Sequence, residues 1–141
     1  MYYYCCGISD VGNTRSHNED AFLINKIVMT KAKMESSLSI PFIIGVADGV
    51  AGEKSGEIAS RLSLQLLSNI KFSSSTNLKK KILDIHENVR SYGLNHDESL
   101  NMQSTLCALA IDENNQAYSV NIGDSRMYRF HEGEIRQLTK D

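Results

Sequence analysis

Apolar residues gather in two short runs near the start of the chain, over 2–8 and 20–28, and both read as strands. The second opens with Ala21-Phe22-Leu23-Ile24, whereas the segment between the runs, Ser9 to Asp20, is polar and irregular. A soft polar stretch over 29–39 predicts a surface loop, and the apolar run after it predicts a strand over 42–47. From Glu53 the period becomes helical. Ile58, Leu62, Leu66 and Ile70 recur every four residues, with Ala59 and Leu67 flanking that stripe. Ser73 to Asn77 breaks the pattern and offers a cap. A second helix follows, with Leu78, Ile82, Ile85 and Val89 on one face and Lys79, Lys80, Lys81 and Glu87 largely off it. One apolar face apiece means that both helices should pack on something flat.

Strands return after Ser104. Thr105 to Ile111 leads through Asp112 to Asn115 into Ala117 to Ile122, a hairpin pattern. Arg126 to Phe130 and Ile135 to Leu138, around His131 to Glu134, form a second hairpin. Strands segregated from helices predict an α+β layered domain with a mainly antiparallel sheet. A length of 141 residues suits one domain, and residues 1–141 are read as one, with no repeat or linker inside it. Leu138 to Asp141 follows directly on a strand, and a sheet edge left there would be unprotected, so an interrupted domain is expected.

Composition narrows the partners. The chain is 41% apolar and 23% charged with a net charge of −2, the profile of an ordinary soluble globular protein. Neither nucleic acid nor an anionic membrane is an expected partner. The start, Met-Tyr-Tyr-Tyr-Cys-Cys, lacks the basic and apolar regions of a secretory signal, and no apolar stretch nears a membrane span. Cys5, Cys6 and Cys107 form no metal spacing and read as reduced thiols of a cytoplasmic protein, small fillers of the core. Tyr2, Tyr3 and Tyr4 suit an edge strand with alternate rings in and out. His17, His86, His96 and His131 read as surface residues, and Lys79 to Lys81 as a solvated helix face.

Three acidic spots stand at the ends of strand-like segments: Glu19-Asp20, Asp48-Gly49, and Asp124 within Asn121-Ile-Gly-Asp-Ser-Arg126. Stacked strands would gather these spots at one end of the domain, where carboxylates repel unless a cation joins them or one stays protonated. A strand delivering Asp48 to a glycine turn suits a hard metal, because Gly49 lets the backbone carbonyl approach as a further oxygen ligand. Oxygen-only ligation points to Mg²⁺ or Mn²⁺. Arg15, four residues before Glu19, could grip a phosphate by two parallel hydrogen bonds while a metal-activated water attacks it. Taken singly, these residues are a tight turn, solvated charges, an Asx turn and a surface arginine. Their joint presence favours a site.

In that context the stretch Ser9 to Ile24, SDVGNTRSHNEDAFLI, resembles the opening motif of bacterial metal-dependent protein Ser/Thr phosphatases of the PPM, or type 2C, family. Val46-Ala-Asp-Gly-Val-Ala-Gly52 resembles the family's next motif, and Ser104-Thr105-Leu106, Asn121 to Arg126 and Gln137 to Asp141 resemble later ones in order. The resemblance implies a four-layer α/β/β/α sandwich with a two-metal centre between its central sheets. Asp48 would bridge both metals and the Gly49 carbonyl would ligate one. Glu19 and Asp20 would act mainly through metal-bound waters, Arg15 would bind the substrate phosphate, and Asp124 would match the ligand of a weaker third metal. The implied partners are a phosphoprotein substrate and a cognate Ser/Thr kinase, and no phospho-enzyme is implied. Val50 stands where relatives have His or Met, and Gln103 where a Gly is usual. The family's Ser-Asp-Gly and Asp-Asn motifs, with two further metal-site Asp residues, find no counterpart before Asp141. The C-terminal part of the sandwich is therefore expected to be missing, with weak metal binding and little or no turnover. Two rival readings remain: a degenerate phosphatase-like module that binds without turnover, and a nucleotide-binding P-loop at Gly49-Val-Ala-Gly52-Glu53-Lys54-Ser55. The P-loop has Glu53 in the way and Asp48 facing the phosphates.

Overall fold

The computed structural model describes residues 1–50 and 53–141. Among the described residues, five strands are followed by two α-helices, a short 3-10 turn at Asp97–Ser99 and five more strands. The central sheet takes β2 (Asp20–Ile24), β3 (Ile27–Met29), β5 (Phe42–Val50), β7 (Leu106–Ile111) and β8 (Ala117–Ile122) in the order β3-β2-β5-β7-β8. Every pairing in it is antiparallel, and the short β6 (Gln103–Ser104) pairs with the end of β5. Strand alternation sends the side chains of each strand to two different layers. Ala21, Leu23, Ala47, Leu106 and Ala108 face α1 (Glu53–Ser68) and α2 (Leu78–Asn95), where they meet Leu64, Leu67, Ile82 and Ile85. Phe22 and Ile24 point the opposite way, onto a two-stranded ribbon of β1 (Tyr2–Ser9) and β4 (Ala32–Ser39), and pack with Cys5 and Leu38. Helices, sheet and ribbon are three of the four expected layers. The hairpin β9 (Tyr128–His131) and β10 (Glu134–Gln137) follows at the end.

Several elements differ from expectation. The polar stretch 29–39 is mostly strand: β4 pairs with β1 along its whole length, from Ser9↔Ala32 to Tyr2↔Ser39. Only Met34 and Leu38 of its large side chains turn inward, so partnership with β1 rather than hydropathy makes it a strand. The run 20–28 is a hairpin, β2 and β3, turned at Asn25 and Lys26 with φ of 52° and 62°. The strand expected over 42–47 continues to Val50.

The buried stripe of α1 is Gly56, Ala59, Ser60, Ser63, Leu64 and Leu67, whereas Ile58, Leu62 and Leu66 lie half-buried on its flank and Ile70 falls beyond the helix end at Ser68. Small residues win the inner face because the helix backbone lies against the sheet. Two of their hydroxyls are satisfied within the helix, Ser60 Oγ donating to the Glu57 carbonyl at 3.1 Å and Ser63 Oγ to the Ala59 carbonyl at 2.8 Å.

Other expectations hold. Asn77 caps α2, its side chain accepting from the Lys80 N–H at 3.1 Å. Ile82 and Ile85 are buried, with Leu78 and Val89 packed beside them. Tyr2 and Tyr4 face out while Tyr3 packs edge-on against Phe42. The four histidines and Lys79 to Lys81 are exposed. Of the thiols, Cys5 and Cys107 are core fillers, but Cys6 is exposed on the outer face of the ribbon. Among the described residues, no helix is long and apolar enough to cross a membrane.

Candidate metal centre

Antiparallel pairing of β2 with β5 sets Asp20 directly opposite Asp48. Cross-strand partners project to the same face, so two carboxylates meet at the end of the sheet on its ribbon side. Partial burial, the charge of Asp48 and a hydrogen bond shared with the Asp48 carboxyl together push the Asp20 carboxyl above its ordinary range. Glu19 adds to the rise and Arg15 opposes it. A pair in this position holds a proton between its members or takes up a cation. The donors are all oxygen, and their repulsion is what a hard divalent cation relieves, so the donor set fits Mg²⁺ or Mn²⁺. Among the described residues, no three His, Cys, Asp or Glu side chains converge as a metal cluster. The described residues thus present a pair rather than a closed ligand set.

The loop ahead of β2 is pinned by Asn18. Its Oδ1 accepts from the Asp20 N–H at 3.0 Å, and its Nδ2 donates to Ser9 Oγ at 2.8 Å and to the Thr30 carbonyl at 2.6 Å. Arg15 rides on this loop, exposed, with its charge felt by Asp20. Glu19 is held through its backbone, its carbonyl accepting from the Gly49 N–H at 3.0 Å. Its carboxylate lies over Gly56 of α1, where a Cβ would come within 2.7 Å of the Glu19 carboxyl carbon. Gly49 is tighter still: a Cβ there would stand 1.8 Å from the Gly56 carbonyl oxygen. Its lack of a side chain is demanded by the contact of β5 with α1, a packing role that the sequence reading did not assign.

A cavity of about 270 Å³ opens beside the pair, lined by Ile8, Ser9 and Asp10 of the ribbon side, by the ends of β2 and β5, and by Ser125. Asp10 was not among the expected site residues. It closes an Asx turn, accepting from the Gly12 N–H at 2.6 Å, and Gly12 has a φ of 76°. The Asp-x-Gly spacing is the signal that could have found the turn, but nothing local says that the turn abuts β5. Asp124 is exposed and does not line the cavity, whereas its neighbour Ser125 does. Cavities of about 440 and 650 Å³ lie elsewhere, beside α2 and below the end of α1.

Both departures from the motifs sit at one place, since Val50 and Gln103 are cross-strand partners of β5 and β6. Ala51 and Gly52, part of the second motif and of the P-loop reading, lie outside the described residues. Two of the P-loop positions, Gly49 and Ser55, speak against a phosphate cradle. The Gly49 N–H is bonded to the Glu19 carbonyl, and Ser55 Oγ donates to the Glu98 carbonyl at 2.6 Å.

The sequence profile of the family described as Protein phosphatase 2C matches residues 4–141. The Serine/threonine phosphatase stp of Listeria monocytogenes is 31% identical over 142 aligned positions, covering 94% of this chain and 52% of that protein. Protein phosphatase PhpP of Streptococcus pneumoniae is likewise 31% identical, with 95% of this chain and 53% of that protein covered. The chain spans about half the length of the curated relatives it matches. Among solved structures, the serine/threonine phosphatase PstP/Ppp of Mycobacterium tuberculosis superposes with a TM-score of 0.74 at 28% identity, over 99% of this chain and 55% of that one. The catalytic domain of PstP in complex with two manganese ions gives a TM-score of 0.79 at 26% identity, over 99% and 56%.

Proposed function

Because the chain belongs to the protein phosphatase 2C family, we propose that it contributes the metal-dependent centre of a protein serine/threonine phosphatase, which hydrolyses phosphoserine and phosphothreonine in proteins. The facing Asp20–Asp48 pair carries this reading. Bound Mg²⁺ or Mn²⁺ would supply an acidified water as nucleophile and offset charge on the phosphate. Asp48, the Gly49 carbonyl and Asp20 would hold the ion directly or through water, Glu19 would support it through water, and Asp124 would serve a further, weaker ion. Arg15 would grip the phosphate oxygens of the substrate. The partners are a phosphoprotein and the kinase that forms its phosphoester. Three free thiols suit the cytoplasm.

Phosphate release from a phosphothreonine peptide, with Mn²⁺ and then with EDTA, tests the reading. Asp48→Asn should lower turnover by on the order of a hundredfold. Arg15→Lys, which keeps the charge and loses the planar fork, should act mainly by raising KM. Release that continues unchanged in EDTA would sink the metal dependence. One observation favours a second reading, a phosphoprotein-binding module: the described residues supply a carboxylate pair and not a triad. Arg15-dependent peptide binding without any release would select it.

A further inference from the structure

Where β5 should continue its ladder to the strand beside it, one bond is made by a side chain. Thr105 stands between β6 and β7, in the register that continues Val46↔Cys107 towards Gly49↔Ser104, and so faces Asp48. Its N–H donates to the Asp48 carbonyl at 2.9 Å, as in a regular sheet. The return bond is different: the Asp48 N–H donates to Thr105 Oγ1 at 2.9 Å, not to the Thr105 carbonyl. That carbonyl instead accepts from Ser104 Oγ at 2.8 Å. The hydroxyl of Thr105 also pairs with Ser125 Oγ at 2.7 Å. Its methyl seats against the turn at Gly123, which has a φ of 93° and where a Cβ would stand 2.8 Å from Thr105 Cγ2. The residue is 8% exposed.

We propose that Thr105 is a positioning residue: its hydroxyl replaces a backbone acceptor so that Asp48 and the Gly123–Ser125 turn are held together at one cavity. The physical reason lies in reach. A backbone carbonyl only accepts and is fixed in direction by the ladder, whereas a rotatable hydroxyl accepts from the Asp48 amide and still has a proton and a lone pair with which to pair with Ser125. Asp48 and Ser125 both line the cavity of about 270 Å³, although they are distant in sequence, and the Thr105 hydroxyl joins them. The inference rests on Asp48 being a metal ligand.

The test counts free Mn²⁺ by electron paramagnetic resonance during titration of the chain and its variants, with metal-free melting measured alongside. Thr105→Val leaves the Asp48 N–H without its acceptor and should weaken Mn²⁺ binding about tenfold, the usual scale for a residue supporting a ligand. Thr105→Ser restores the hydroxyl and should bind as the wild type does. Wild-type binding in the valine variant beside weakening in the serine variant would assign the effect to the methyl that packs on Gly123 and overturn the proposal. Ser125→Ala leaves both Asp48 bonds in place and keeps the test open if the valine variant does not fold. Weaker binding with unchanged melting then supports the link, and unchanged binding refutes it. Asp48→Asn separates the two levels. Full Mn²⁺ affinity in that variant defeats the metal-centre reading itself. Loss of affinity there, beside wild-type affinity in Thr105→Val, defeats only the positioning role.

Discussion

Single residues show how a polar group survives in the interior of this chain. Asp112, at the end of β7, is 1% exposed. Burial pushes its carboxyl up, but bonds from the Gln116 N–H at 2.9 Å, the Tyr118 hydroxyl at 3.0 Å and the Asn114 N–H at 2.8 Å outweigh it and hold the group below its ordinary range. A folded-state pKa below the unfolded one stabilises the fold above the ordinary carboxylate range, and the gain fades as pH falls through the depressed value. Asp112→Asn keeps the shape and loses the charge. The stability gap between wild type and this variant should therefore be widest near neutral pH and narrow in acid, as read by urea unfolding at both ends. An equal gap throughout would contradict the account. Asp112 was legible only as a turn residue; its burial and its bond from Tyr118, whose ring packs edge-on with Phe72, were not.

At the level of elements, α1 is the most instructive. Its regular four-residue recurrence of Ile and Leu marks a helix, yet the face pressed on the sheet is the one with Gly56, Ala59, Ser60 and Ser63. Periodicity announces that one face is buried without fixing which of two adjacent stripes lies deepest, because that depends on how near the sheet backbone comes. Gly49 and Gly56 set that approach. Leu64 is fully buried and Leu62 half-buried. Leu64→Ala should accordingly cost about 2–5 kcal/mol by cavity formation, and Leu62→Ala clearly less. Denaturant unfolding of the two variants decides, and a larger loss at Leu62 would restore the stripe expected from the sequence.

Across the whole molecule, the proposed metal role of the carboxylate pair sets function against stability. Asp20 and Asp48 face each other between the central sheet and the ribbon, and partial burial raises the cost of both being charged. Asp20→Asn should raise the melting temperature of the metal-free chain while lowering its Mn²⁺ affinity. A variant that melts lower without metal would show that the pair does not repel in the folded state. The same geometry explains why the ribbon matters to the site. The side chain of Phe22 fills the space over Gly7 of β1, with a Cβ there falling 2.5 Å from the ring. That seating brings Ile8, Ser9 and Asp10 to the cavity rim.

Sequence alone determined the two helices between blocks of strands, the Asn77 cap and the hairpin turn over 112–115, and it singled out Arg15, Glu19, Asp20, Asp48, Gly49 and Asp124 as motif residues. These depend on local period, turn chemistry and short spacing, all of which are written along the chain. Tertiary structure decided that 32–39 is a strand, which stripe of α1 lies deepest, and that Asp10 and Ser125 share a cavity while Asp124 stays outside it. It also decided that Thr105 completes the ladder of β5 with its hydroxyl. Each of these rests on a contact between backbones far apart in sequence, and such a contact leaves no period behind it.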